Sequence, residues 1–243
     1  MSVTSKIKVF VGSFVHTNEH GKLITVDHGA IYVKEGKKQT IALGTTTACY
    51  FASLYAKASV ILGQKAADIG QRAFIGKLSM NVQRSDKYYE TTEESMINVN
   101  KFVKDIIELN NPLVKPIITP RFALSCDMTL MRELGKLAKE KDLHIQSHIS
   151  ENLDEIEAVK NKFPECSSYA DVYDASGLLT SKTVMAHGVH LTDNEIALLK
   201  KRSVAVVHCP SSNTCLKSGL CDIQKLRSEG IKVGLGTGKN KCL

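Results

Sequence analysis
From Thr45 onward, short β-rich apolar runs alternate with segments of helical period, and this alternation constrains the fold more than any other feature of the chain. The runs are Thr46–Ala52, Arg72–Met80, Val114–Pro120, Leu143–Ile149, Thr183–Val189, Ser203–Pro210 and "KVGLGT" from Lys232. Helical patterns fill the intervals. Thr91 with Glu94, and Thr192 with Glu195, have the spacing of a capping box, in which side chain and backbone cap each other. Asp127 opens another helix, and Asn152 with Glu155 caps the one after it. A last helix is expected near Leu220–Ser228.

Strand–helix alternation of this kind implies a parallel sheet with crossover helices. Runs such as "VAVV" have the uniform apolarity of strands buried on both faces. Two architectures satisfy it. An open doubly wound sheet carries a glycine-rich phosphate-binding turn after its first strand. No G-x-G-x-x-G occurs, and "GLGTGKNK" follows the last strand. A (β/α)8 barrel gathers its reactive residues at the C-terminal ends of strands. His148, His187 and His208 fall at such ends, so the barrel suits the chemistry better, although it needs eight strands and only seven are present. The first 40 residues differ. "KIKVFVGSFVH", "GKLITVD" and "AIYVKEG" read as three short antiparallel strands, a small β module over 1–40 ahead of a partial barrel over 44–243.

The chain has 243 residues and a net charge of +7, with lysines spread along its whole length and only 6% aromatic residues. That pattern reads as a solvated surface with mild attraction for anions, not as a nucleic-acid interface. No apolar run is long enough to span a bilayer. Seven cysteines without C-x-x-C pairs favour free thiols, hence a cytoplasmic setting.

The stretch "LHIQSHISEN" ends an apolar run in His148 and places Glu151 three residues on. Imidazole is the commonest protein metal ligand at neutral pH. His148 and His187 occupy corresponding points of consecutive strands, and a carboxylate beside a metal site can move protons for a bound water. Singly, each histidine is more often a satisfied strand-end residue, and Glu151 could be a helix-start acid favoured by the dipole. Arg121 and Phe122 follow Pro120 at another strand end, an Arg able to pair with a carbonyl and a ring able to stack on a planar group. Without context they read as a loop Arg and a core Phe. His144 opens its strand, His190 reads as a surface residue, and Ser211, Ser212 and Asn213 read as turn formers.

The segments "GTTTACYFAS", "GQRAFIGK", "TTEES", "KPIITPRFALSC", "LHIQSHISEN", "KTVMAHGVHL", "HCPSSN" and "VGLGT" resemble the guanine deaminases of the amidohydrolase superfamily, from about Gly44 to Thr237. The resemblance implies a metal-dependent (β/α)8 barrel with a small β-sandwich. It implies hydrolytic deamination of guanine to xanthine and ammonia, with one zinc ion per subunit. It assigns His148 and His187 as zinc ligands, with His148 also lining the substrate site. It assigns Glu151 as the proton shuttle, and Arg121 and Phe122 as guanine contacts. Two departures follow. The family's H-x-H at the end of the first barrel strand has no counterpart among histidines 16, 20, 28, 144, 148, 187, 190 and 208, and Gly238 stands where the family has its last ligand, an Asp. The expected architecture is therefore an incomplete amidohydrolase barrel lacking its first strand, with an internal skip between about Lys37 and Gly44 and an early divergent end, as a splice form or an imperfect gene structure would produce. Weak or absent zinc binding and no turnover are expected. The alternative is a non-catalytic chain that associates with itself or with a full-length enzyme.

Overall fold
The computed structural model describes residues 8–17, 23–33, 45–83 and 87–236. The expected skip between 37 and 44, and Gly238, lie outside these residues. The chain divides into two compact units, Met1–Thr46 and Thr47–Leu243.

In the first unit, β1 (Lys8–Thr17) and β2 (Leu23–Val33) form an antiparallel pair whose register shifts between Gly12 and Phe14. The three strands expected here are thus two. "GKLITVD" and "AIYVKEG" contribute to one continuous strand, because the glycine between them, Gly29, stays in register opposite Gly12.

The second unit is a parallel sheet with helices between its strands. In chain order they are β3 (Thr47–Phe51), α1 (Ala56–Asp68), β4 (Arg72–Gly76), β5 (Leu78–Ser79), α2 (Thr92–Glu108) and β6 (Val114–Pro120). A one-turn 3-10 helix (Ala123–Ser125) precedes α3 (Met128–Glu140), β7 (His144–Ile149), α4 (Leu153–Lys162), α5 (Tyr169–Ala175) and β8 (Thr183–His187). Then come α6 (Asp193–Lys201), β9 (Ala205–His208), α7 (Pro210–Cys215), α8 (Ile223–Ser228) and β10 (Lys232–Leu235). The sheet order is β10-β9-β8-β7-β6-β4-β3, with β5 pairing β6 as a continuation of β4. This is the expected seven-strand, incomplete barrel. The run expected as one strand over Arg72–Met80 is broken at Lys77, whose buried ammonium turns to the Glu90 carboxylate at 2.6 Å.

The sheet is curled. Strands β7 and β3 have β6 and β4 between them, so in a flat sheet they would lie about 14 Å apart. Yet Gln146 Nε2 of β7 donates to the Tyr50 carbonyl of β3 at 3.0 Å, and the Phe51 and His148 rings approach to 4.4 Å between centroids. Alternate residues of β7 therefore point into a lumen. His144 meets Phe74 at 4.7 Å, Gln146 bonds Thr119 Oγ1 at 3.0 Å, and His148 meets Phe51. Ile145, Ser147 and Ile149 face the helices and are buried.

The helices form where the sequence places caps and apolar stripes. Thr91 Oγ1 accepts from Glu94 N at 3.1 Å while Glu94 Oε2 accepts from Thr91 N at 2.8 Å. Buried Val99, Phe102, Val103 and Ile106 then recur at the spacing of one helix face. Asn152 caps α4 through Glu155 N at 2.9 Å. Glu155 is itself buried, and its carboxylate accepts from Tyr169 Oη at 2.7 Å. The α5 helix and the short α7 were not expected, and the final helix starts three residues later than its expected start, at Ile223, capped by Asp222.

Candidate active site
Strand β7 ends at Ile149, and β8 pairs with it so that His148 lies opposite Ala186 and Ile149 opposite His187. Residues paired across parallel strands share a face, so parity alone would send His187 outward with Ile149. At His187 the backbone has φ +76°, in the left-handed region, followed by Gly188 at +56°. A non-glycine residue there costs about 1–3 kcal/mol and persists only where its surroundings enforce it. Leaving the strand conformation re-aims the imidazole. The His148 and His187 rings lie 5.3 Å apart between centroids and within 25° of parallel.

Each ring is fixed through Nδ1. His148 Nδ1 lies 2.6 Å from the Arg121 carbonyl, which only accepts, so this nitrogen carries the proton. Burial holds the His148 pKa down to about 4; the Arg121 carbonyl works against the shift, and the charges of His187 and Arg121 add to it. The ring is neutral at pH 7, and its Nε2 keeps a lone pair. His187 Nδ1 lies 3.0 Å from Asn213 Oδ1 and 3.6 Å from Glu151 Oε1, both acceptors. A ring nitrogen held by an acceptor on the far side is the arrangement that orients metal-binding histidines. The strand turns away after Ile149 at Ser150, whose φ of +48° opens the loop that carries Glu151 beside His187.

Arg121 and Phe122 follow β6. The backbone nitrogen of Arg121 donates to the Ser79 carbonyl at 3.1 Å, and its guanidinium lies 5.6 Å from the Phe122 ring centroid. Both side chains are half-buried. The Arg121 carbonyl thus joins this pair directly to His148. His144 packs lower in the lumen, and His190 is half-buried, its Nε2 2.6 Å from the Ser218 carbonyl. His208 Nδ1 is buried without a hydrogen-bond partner.

Two imidazoles, each held through Nδ1, fit zinc in kind and fall short in number among the described residues. A zinc site takes three or four protein ligands, and among the described residues no group of three or more His, Cys, Asp or Glu is arranged to hold a metal.

Sequence reasoning missed Asn213, Phe51 and Tyr173. Asn213, read as a turn former, sits in α7 with 2% exposure and holds His187. Tyr173 Oη donates to the His148 carbonyl at 2.7 Å and accepts from Ala123 N at 3.0 Å. Only a strand-end histidine close ahead of "PSSN" hinted at the first, and nothing in the sequence singled out the others.

Residues 12–243 match the amidohydrolase family. The chain belongs to that family. Among curated amidohydrolases, guanine deaminase of Mus musculus is 49% identical over 201 residues, which are 82% of this chain and 44% of that protein. Guanine deaminase of Dictyostelium discoideum is 50% identical over 194 residues, covering 80% of this chain and 43% of the relative. Among solved amidohydrolases, guanine deaminase from C. acetobutylicum with guanine bound in its active site superposes with a TM-score of 0.75 at 28% identity, covering 95% of this chain and 74% of that one. This amidohydrolase therefore spans under half the length of these two curated relatives.

Proposed function
We propose that this chain carries the purine-recognising side of a guanine deaminase site, together with two of its metal-binding histidines, and that it does not itself turn guanine over. The observation that carries the reading is the hydrogen bond of 2.6 Å between the His148 ring and the Arg121 carbonyl, which ties a metal-type histidine to the Arg–Phe pair. In this reading Arg121 donates to the guanine carbonyl and Phe122 stacks on the ring system. Guanidinium and aromatic face are matched to a planar, carbonyl-bearing heterocycle. Glu151, beside His187, is the carboxylate suited to passing a proton from water to the departing amine. His148 and His187 are two zinc ligands. Among the described residues these two histidines fall short of the three or four protein ligands that zinc takes.

A second reading rests on the sheet edges. Among the described residues β3 and β10 each pair on one side alone. Unpaired edges template association with another chain, which supports a non-catalytic role in pairing with a second copy or with a full-length deaminase.

The test is calorimetric titration of the purified chain with guanine, adenine and xanthine. The reading predicts preference for guanine over adenine, and a loss of about tenfold in guanine affinity in Arg121→Ala, the worth of one charge-assisted hydrogen bond. Equal binding of guanine and adenine, or no effect of Arg121→Ala, would defeat it.

A further inference from the structure
The segment after Arg121–Phe122 is held by one distant ammonium. Lys162, the last residue of α4, donates from Nζ to the carbonyls of Ala123 at 3.0 Å, Leu124 at 3.0 Å and Cys126 at 2.6 Å. An ammonium has three N–H bonds, and all three are used on one turn of chain. Within the turn the Ala123 carbonyl also accepts from Cys126 N at 3.3 Å, but bonds from a charged donor are the stronger kind. We infer that Lys162 is a positioning residue for the Arg121–Phe122 pair, an inference that rests on reading that pair as purine contacts.

The rest of the turn shows why one side chain has such reach. Phe122 is fully extended, with φ −172° and ψ 168°, and its nitrogen and carbonyl both bond Ser125 Oγ, at 3.3 and 2.8 Å. Ala123 N is held by Tyr173 Oη at 3.0 Å from the α5 side. The Ser125 carbonyl accepts from Asn81 N at 3.0 Å and Val82 N at 3.1 Å. Lys162 holds this frame from the α4 side through three carbonyls. The Lys162 ammonium also lies 5.0 Å from the Phe163 ring centroid. Helix α4 begins just after Glu151, the proton-shuttle candidate, and ends at Lys162. One rigid helix thus sets the carboxylate at its entry and the purine-contacting turn at its exit.

The experiment combines amide hydrogen exchange with guanine titration on the full chain. In Lys162→Met, which keeps the aliphatic stem, amides of 121–127 should exchange at least tenfold faster while those of β7 and β8 keep their protection. Guanine affinity should fall about tenfold. In Lys162→Ala, propylammonium should restore both properties and tetramethylammonium, which has no N–H, should not. Should Lys162→Ala fail to fold, the Lys162→Met arm decides alone. Unchanged exchange at 121–127 in Lys162→Met would overturn the inference, as would equal loss of protection throughout the sheet or equal rescue by both amines. If the unaltered chain binds no guanine, the reading of the pair fails, while the exchange arm still tests the clamp.

Discussion
His148 and His187 stack with ring centroids 5.3 Å apart, although the strand register pairs His187 with the outward-facing Ile149. The left-handed backbone at His187 is what brings the second imidazole to the first. Four-ligand structural zinc sites are worth roughly 10–16 kcal/mol. Half the ligands supply about half of that, so zinc should bind with a Kd of roughly 10⁻⁴–10⁻⁶ M. Titration of the metal-free chain with zinc checks this, and His148→Ala or His187→Ala should remove the binding. Nanomolar zinc affinity would mean that further ligands act.

Gly76 faces the lumen where Gln146 and Thr119 meet. A Cβ there would collide with Thr119 Oγ1 and come within 2.5 Å of Gln146 Nε2. Gly76→Ala should therefore break the bond from Gln146 to Tyr50 that spans the curl, at a cost of about 1–3 kcal/mol. Urea unfolding would show a lower midpoint, and Gly76→Ala with Thr119→Ala should recover part of it.

Lys77 is fully buried, and its partner Glu90 is 11% exposed. Burial pulls the Lys77 pKa down and the Glu90 carboxylate pulls it back up. Removing one member of such a pair leaves the other charge buried, at about 3–5 kcal/mol, whereas replacing both is often near neutral. Lys77→Met should be severely destabilised in chemical denaturation, and Lys77→Met with Glu90→Leu should be close to the unaltered chain.

Burial lifts the Glu155 pKa from 4.5 to about 7, Tyr169 opposing the shift and the Glu151 charge adding to it. A carboxyl whose folded pKa exceeds its unfolded value contributes stability that is complete below the unfolded pKa and is lost as pH rises through the folded one. Stability from this group should thus fall between about pH 4.5 and pH 7, by at most about 3 kcal/mol. Glu155→Gln still accepts from Tyr169 and has no proton to lose. Its unfolding free energy should stay flatter across that window, and an identical pH profile would contradict the assignment.

Much of the fold was legible because strand and helix periods are local properties. The run Val114–Pro120 is β6 residue for residue, and the cap expected at Thr91 is the one formed. Arg121, Phe122, His148, Glu151 and His187 stand out in the sequence through their positions after strand ends and through resemblance. What could not be read depends on partners far apart in the chain. The break at Lys77 is set by Glu90, the role of Asn213 by His187, and the Ala123 turn by Lys162 and Tyr173. The left-handed φ of His187 had no signal at all, since nothing in "MAHGV" marks a histidine for that conformation except the glycine after it.

The most direct test of the central claim is xanthine formation from guanine by the purified chain with added zinc, run beside the mouse enzyme. Two imidazole ligands among the described residues should hold zinc only weakly, and Gly238 stands where the resemblance expects the last ligand, an Asp. The expected result is no xanthine above background. Turnover within an order of magnitude of the mouse enzyme would contradict the account and show that this chain completes its own site.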